Sequence, residues 1–541
     1  MRIPTTILKA SGIFCGLILL TGRTPAADNI ETAAMLTIRA EAIGAHVKFL
    51  ADDLLEGRGT GTRGHELASN YVAAQFEAMG LEPAGTNHTF FQPIRFRSVA
   101  VVPAKTSLGL VRNGNEDTLT YGLDYYAMGD FSDPASSLSG HVVYAGYGVT
   151  APDFGIDDYA GIDVRGKIVA FLPGAPSRLP SAERAHFGNA GTKRDNASAR
   201  GAIGVVLLWD AAGEKVTPYS ALLRQSSLPA MSWLDHNGVP NRARNGVRPL
   251  AVLSESGTRK LFGGTLAPEK PTALEIFLTI HTTSSHSEVT SPNVLAMVRG
   301  SDLRLRDEYV IYTAHLDHLG IGEPVNGDRI YNGATDNAGG DAALIEIARA
   351  FTRLGERPRR SVIFIAVTGE EKGLLGSDYF AEYPTVPRSQ IVANVNMDGV
   401  NLLFDFRNIV DIGGNHSSLG EVFRKAGAKM DVDVVSDPAP EQQFFVRSDQ
   451  YSFVRRGIPA LFPRTGTKAV NPQIDGAKME ADRFRFRYHL PSDDLNQPLD
   501  FEAGAKTAKF DFLLGYLIAQ DDARPRWNDG DFFGKTFSAN R

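Results

Sequence analysis

Three short apolar runs constrain this chain more than anything else in it. Tyr309–Ala314, Ser361–Val367 and Ile391–Met397 are rich in β-branched and aromatic residues and apolar at nearly consecutive positions. Strands buried on both faces read this way. A helical pattern (GGDAALIEIARAF, 339–351) lies between the first two runs. Together these predict βαβ units and a largely parallel sheet. Each run stops at residue types that bind metals. His315 and Asp317 follow the first, Glu370 and Glu371 the second, Asp398 the third, and Asp336 stands just before the helical segment. Ligands of open α/β sheets bind beyond the carboxyl ends of the strands. Any one of these residues alone is noise. Several carboxylates gathered at one sheet end are costly to bury without a cation.

Length and composition narrow the class. At 541 residues, two or more domains are expected. Hydrophobic and charged fractions of 43% and 22% are those of a soluble globular protein. A formal charge of −6 argues against a general nucleic-acid binder. Residues 1–26 predict an export signal: Arg2 and Lys9 precede an apolar Ala10–Leu20, and Thr24-Pro25-Ala26 offers a cleavage site after Ala26. An uncleaved membrane anchor is the alternative. Cys15 is the sole cysteine, so the mature chain can form no disulfide, thiolate nucleophile or Cys–metal bond. A metal must therefore sit on His and carboxylates, which suits catalytic zinc, with manganese or cobalt as substitutes.

Along the chain, residues 27–135 and 279–525 are expected to form one discontinuous catalytic domain. Residues 136–278 form an inserted β-rich second domain and 526–541 a C-terminal tail. GRGTGTRG (57–64) matches a dinucleotide fingerprint only formally, because a helical pattern rather than a strand precedes it, and is expected to be a flexible loop. The polar stretch TTSSHSEVTS (282–291) reads as the return loop from the insertion. His186, His236, His281, His286 and His318 read as isolated or loop histidines. Asp341 reads as a helix-dipole partner, and Asp493 and Asp494 as caps or orienters of His489.

The cluster supports definite chemistry. Two metals about 3.5–4 Å apart need a shared carboxylate. Asp336, at the start of a helix, is the natural bridge. His315, Asp398, Glu371 and His489 then supply one His and one carboxylate to each metal. Glu370 is left over beside them and is placed to be the general base. Asp317, two residues after His315 on an extended chain, is expected to orient the imidazole through its carboxylate.

HLDHLG, GATDNAGG, TGEEKGLLGS, NMDG and YHLPSDD, in this order, closely resemble the co-catalytic dizinc exopeptidases of the M-twenty-eight metallopeptidase family, which includes secreted bacterial aminopeptidases and glutamate carboxypeptidase-like enzymes. Ser139–Asp210 is similar to the protease-associated (PA) domain often inserted in its members. RSDQYSFVRRGIPALF resembles a further family segment, with Gln450 where His is often found. The resemblance implies a three-layer αβα zinc-exopeptidase domain with a mostly parallel mixed sheet, plus an inserted PA domain. It implies two zinc ions, one on His315 and Asp398, the other on Glu371 and His489, with Asp336 bridging. Glu370 would be the base and Asp317 the support of His315. A cis Asp336–Asn337 peptide is also implied.

The leading expectation is an exported, periplasmic or secreted aminopeptidase acting on peptides, with no stable membrane span after signal cleavage. A carboxypeptidase on the same site is the nearest rival, since Arg447 or Arg483, Arg485 and Arg487 could hold a terminal carboxylate. Arg447 and Tyr488 are the candidate substrate contacts. A single-zinc glutaminyl cyclase-like acyltransferase and a non-catalytic binding protein complete the set.

Overall fold

A computed structural model describes residues 1, 30–244, 246–265 and 267–540. The export segment expected at 1–26 lies, beyond Met1, outside them. Among the described residues no helix is long and apolar enough to cross a membrane.

The architecture is mixed α/β. Its spine is a 27-residue strand, β1 (Thr272–Val298). Next come β2 (Tyr309–His315), helix α1 (Gly339–Thr352), β3 (Ser361–Val367), β4 (Ile391–Asn396), β5 (Ala460–Thr465) and helix α2 (Phe501–Gln520). The end of β1 pairs antiparallel with β3; β3, β2, β4 and β5 then run parallel side by side. All residues of β2, β3 and β4 are buried, as the continuous apolar runs predict. Val310, Tyr312 and Phe364 face α1 and α2, where Tyr312 stacks on Phe364 and packs edge-on against Phe351. Ile311, Ile363 and Ile365 face the opposite layer with Phe380, Phe453 and Ile458. Each fully buried side chain of this size contributes roughly 1.5–3 kcal/mol. These layers fix where the strand ends lie.

The first half of β1 belongs to a second sheet, where it pairs with Ala135–Tyr144 and Ser107–Arg112. Ile168–Phe171, Gly204–Leu208, Arg248–Leu253 and Tyr125–Ala127 extend that sheet. The second sheet therefore begins before residue 136, the expected boundary. The 282–291 stretch is not a loop. It is the middle of β1, paired with Phe91–Val101; Thr282, Ser284 and Ser291 are buried, while Ser285, Ser287 and Thr290 are exposed. Backbone pairing decided the strand where side-chain polarity suggested a turn.

The chain's end is not a free tail. Phe532–Phe537 is helical, Phe533 is buried, and Trp527 Nε1 donates to the Gly457 carbonyl at 2.9 Å. The ring of His186, from the helix Ser181–Gly188 of the second region, packs against Phe532, Phe533 and Phe537. This aromatic cluster joins the two regions, and its apolar area is why the last residues fold back.

Candidate metal centre

β2, β3 and β4 end side by side, and the residues just past each end meet at one point. Asp336 lies between two histidines. Its Oδ1 is 3.2 Å from His315 Nε2 and its Oδ2 is 3.2 Å from His489 Nε2. Asp398 Oδ1 is 3.4 Å from the same His315 nitrogen, and Glu371 Oε2 is 3.2 Å from the same His489 nitrogen. Two His–carboxylate pairs thus share one carboxylate, each oxygen of which faces a different pair. His315, Asp336 and Glu371 by themselves offer ligand atoms within 4.8 Å of one another, the dimension of a cation site. Asp336 Oδ2 and Glu371 Oε1 are buried with no hydrogen-bond partner. The nitrogens that face them, His489 Nε2 at 3.2 Å and His318 Nδ1 at 2.8 Å, make no hydrogen bond to them, and a divalent cation satisfies such oxygens. The residues therefore fit zinc.

Supporting contacts fix each ligand. His315 Nδ1 donates to the Asp317 carbonyl at 3.0 Å, which leaves Nε2 as the free lone pair facing the carboxylates. Asp493 is fully buried and accepts from the backbone N–H of Thr335 and Asp336, both at 3.1 Å, and from the Thr335 hydroxyl at 2.9 Å. It holds the bridging loop rather than His489. The Asp336–Asn337 peptide is cis. The Asn337 side chain donates to the Met397 carbonyl at 2.9 Å and accepts from Gly340 and Gly399 N–H, which ties this loop to that of Asp398. A Cβ on Gly340 would collide with the Asn337 side-chain amide and the Met397 carbonyl, so only glycine fits there. His489 has φ +57°, a left-handed backbone uncommon outside glycine, and its ring stacks on Tyr488 at 3.8 Å.

One expectation is corrected. The Asp317 carboxylate does not orient His315; the backbone carbonyl of the same residue does. The carboxylate accepts instead from Glu370 N–H at 3.0 Å, Glu371 N–H at 3.4 Å and the Thr60 hydroxyl at 2.9 Å. It anchors the Glu370–Glu371 turn, because the chain leaves β2 just after His315 and turns the side chain toward β3.

Two further readings change. The 57–64 loop is not flexible: Arg58 is fully buried and donates to the carbonyls of Leu316, Asn332, Gly333 and Leu50. His318 is fully buried rather than a surface histidine, with Nδ1 2.8 Å from Glu371 Oε1 and its ring edge-on to His489. Two buried acids beside the cluster carried no clear sequence signal. Asp341, at the first turn of α1, has both oxygens unpartnered. Asp449 is likewise unpartnered, and burial pushes its pKa up to about 7. Only Asp493, close to His489, was discernible as a helper.

Electrostatics follow from crowding. Burial disfavours the Asp336 carboxylate, yet contacts from His315 and His489 outweigh it and hold its pKa well below the usual range. Burial first, with the charges of Glu371 and Asp398 adding, raises the Glu370 pKa well above that range. Burial opposes protonation of His315, but Glu370 and Asp398 override it and raise its pKa.

The site opens on the side of Asp398 and His489. A cavity of about 40 Å³ is lined by Asp336, Glu370, Asp398, Arg447, Tyr488 and His489 among others. It continues into a groove of about 880 Å³ that shares Phe444, Arg447, Arg464, Phe484, Tyr488 and His489. The Arg447 guanidinium lies 3.3 Å from the Tyr488 hydroxyl. Arg483 is paired with Glu480, and Arg487 donates to Gln497 at 2.9 Å.

Residues 293–510 match the model of Peptidase family M28. A probable zinc metalloprotease of Pyrenophora tritici-repentis is 26% identical over 44% of this chain and 53% of its own length. Aminopeptidase NAALADL1 of Mus musculus is 37% identical over 20% of this chain and 14% of its own. The chain thus spans about half or less of these curated relatives. An aminopeptidase from Aneurinibacillus sp. strain AM-1 shares the fold, with a TM-score of 0.54 at 20% identity, over 92% of this chain and 97% of that one.

Proposed function

We propose that this chain, whose residues 293–510 match Peptidase family M28, is an exported zinc-dependent exopeptidase, in first place an aminopeptidase. The observation that carries the reading is Asp336 standing between two separate His–carboxylate pairs with an unpartnered acid, Glu370, at the cavity wall. His315 and Asp398 would hold one zinc, His489 and Glu371 the other, with Asp336 shared. Zinc bound there would supply Lewis-acid chemistry, polarising a scissile carbonyl and lowering the pKa of water. Glu370 takes the water proton and delivers it to the leaving amine. Asp317 keeps Glu370 in place through its backbone N–H. Tyr488 positions His489 by stacking.

The aminopeptidases among the relatives and the fold neighbours support N-terminal cleavage. Arg447 at the cavity wall favours, as second reading, a carboxypeptidase that holds a C-terminal carboxylate. Two His–carboxylate pairs speak against a single-zinc cyclase. The second sheet supports the PA-like reading of the insertion, and its segment 215–228 lines the groove, where it would limit peptide length. Export rests on residues 1–26.

The test is to incubate the protein with one unblocked peptide, with and without chelator, and to follow by mass spectrometry which end shortens. Chelator-sensitive loss from the N-terminus is expected. Loss from the C-terminus would replace the first reading with the second, and no loss would refute both.

A further inference from the structure

The groove beyond His489 carries cations from both regions of the molecule. Lys215 and Arg224 come from the second region, Arg447 and Arg485 from the peptidase region, and all four are exposed. None has a carboxylate partner among the described residues; Arg447 bonds only the Gln442 side chain and carbonyl and the Tyr488 hydroxyl. The other charges on the wall are Arg464 and Glu480, paired with each other at 2.9 Å, and two carboxylates, Glu323 and Asp437. In a chain of net charge −6, a concave wall with an excess of unpaired cations is a local inversion. Concave walls concentrate such a field on whatever enters.

We infer that this groove binds the distal end of a short peptide substrate through a carboxylate, held between Arg224 of the second region and Arg447 and Arg485 of the peptidase region. The inference rests on the exopeptidase reading and adds the substrate class. Three observations carry it. The groove shares the wall of Phe444, Arg447, Arg464, Phe484, Tyr488 and His489 with the cavity of Glu370, which gives a peptide reacting there a path along it. Its volume, about 880 Å³, is in the range of small-ligand sites rather than protein interfaces. Guanidinium groups match carboxylates in geometry as well as in charge. The carboxylate could be the α-carboxylate of the peptide or an acidic side chain near its end.

The experiment is binding, not turnover, so that it stands apart from the activity test. Full-length Glu370→Gln protein is titrated with a fluorescent pentapeptide in three forms: free C-terminus, C-terminal amide, and amide with Glu at the last position. The free acid is expected to bind at least fivefold tighter than the amide, a preference that shrinks at 0.5 M salt because the cations are exposed. Recovery of affinity in the Glu-bearing amide assigns the site to side chains, and no recovery to the α-carboxylate. Arg224→Gln/Arg485→Gln in the same background is expected to abolish the preference. Both positions are exposed, and a melting curve verifies that the variant is folded. Equal affinity for all three forms, no binding of any of them, or a carboxylate preference that survives the double substitution would each overturn the inference. Failure of the exopeptidase reading shows separately, as no shortening of any peptide by the unsubstituted chain.

Discussion

Lys193 and Asp336 are both buried charges, one in each region, and they are buried in opposite ways. Lys193 is 1% exposed, and its ammonium donates to the carbonyls of Leu172 and Gly174 and lies 5.2 Å from the Phe171 ring centre. Burial lowers its pKa to about 7. Two of its three N–H groups donate and the third side of the ammonium faces a ring, and the result is a pinned loop. Asp336 has one oxygen with no hydrogen-bond partner, and buried acids without partners (Asp341, Asp449) stand around it. The difference separates structure from function. A satisfied buried charge holds the fold, and a set of unsatisfied ones waits for a ligand.

That contrast can be broken by substitution. The largest effect is expected at Glu370. Glu370→Gln should lower kcat by roughly 10²–10⁴-fold with zinc content unchanged, read by peptide turnover beside elemental analysis. Zinc loss in that variant would make Glu370 a ligand instead of the base. Asp493→Asn comes next, because it loosens the loop that carries Asp336. Zinc affinity should fall about 10–100-fold in competition with a chromophoric chelator, while unchanged affinity would remove Asp493 from the support of the site. Lys193→Met should do the reverse. It leaves two carbonyls unpaired and should lower unfolding free energy by about 2 kcal/mol without altering zinc affinity. A change in zinc affinity there would show that the two regions are coupled.

The smallest effect sharpens the boundary between the regions. Burial lowers the pKa of His186 to about 4, and its ring bonds Tyr451 across the contact. In the unfolded chain the imidazole titrates near its ordinary 6.5, so between these values the unfolded state binds more protons. Stability from this group is present above pH 6.5 and lost as pH falls toward 4. Between pH 7.5 and 5.5 the loss should be about 1 kcal/mol, and His186→Gln should remove that slope. Denaturant melts at the two pH values would measure it. An equal slope in parent and variant would mean that His186 does not titrate in this range.

Much of the catalytic half was legible in the chain. Runs apolar at nearly every position suit strands covered on both faces, and Ser361–Val367 is such a strand to the residue. Metal-ligand residue types just past three such runs had to converge, because parallel strands end on the same side. His315, Asp336, Glu371, Asp398 and His489 do converge. The Asp317 carboxylate was misread because two-residue alternation stops where the strand stops. His318 was misread because loop composition carries no information about what covers the loop. The 282–291 stretch was misread because small polar residues suit turns and also tight sheet crossings, and only the partner strand Phe91–Val101 decides between them.

By itself, the sequence determined the parallel core, the identity of the acid and imidazole groups at its rim, and the exclusion of any intrachain disulfide in a chain whose one cysteine is Cys15. These follow from periodicity and composition, which are local. The tertiary structure alone decided that Asp336 faces two histidines with different oxygens. It alone decided that the Asp317 carboxylate holds the turn of Glu370, and that Lys215 and Arg224 reach the same groove as Arg447 and Arg485. These depend on contacts between residues far apart in the chain. No local pattern encodes such distances; they are set when the two sheets share one strand and the loops close over its end.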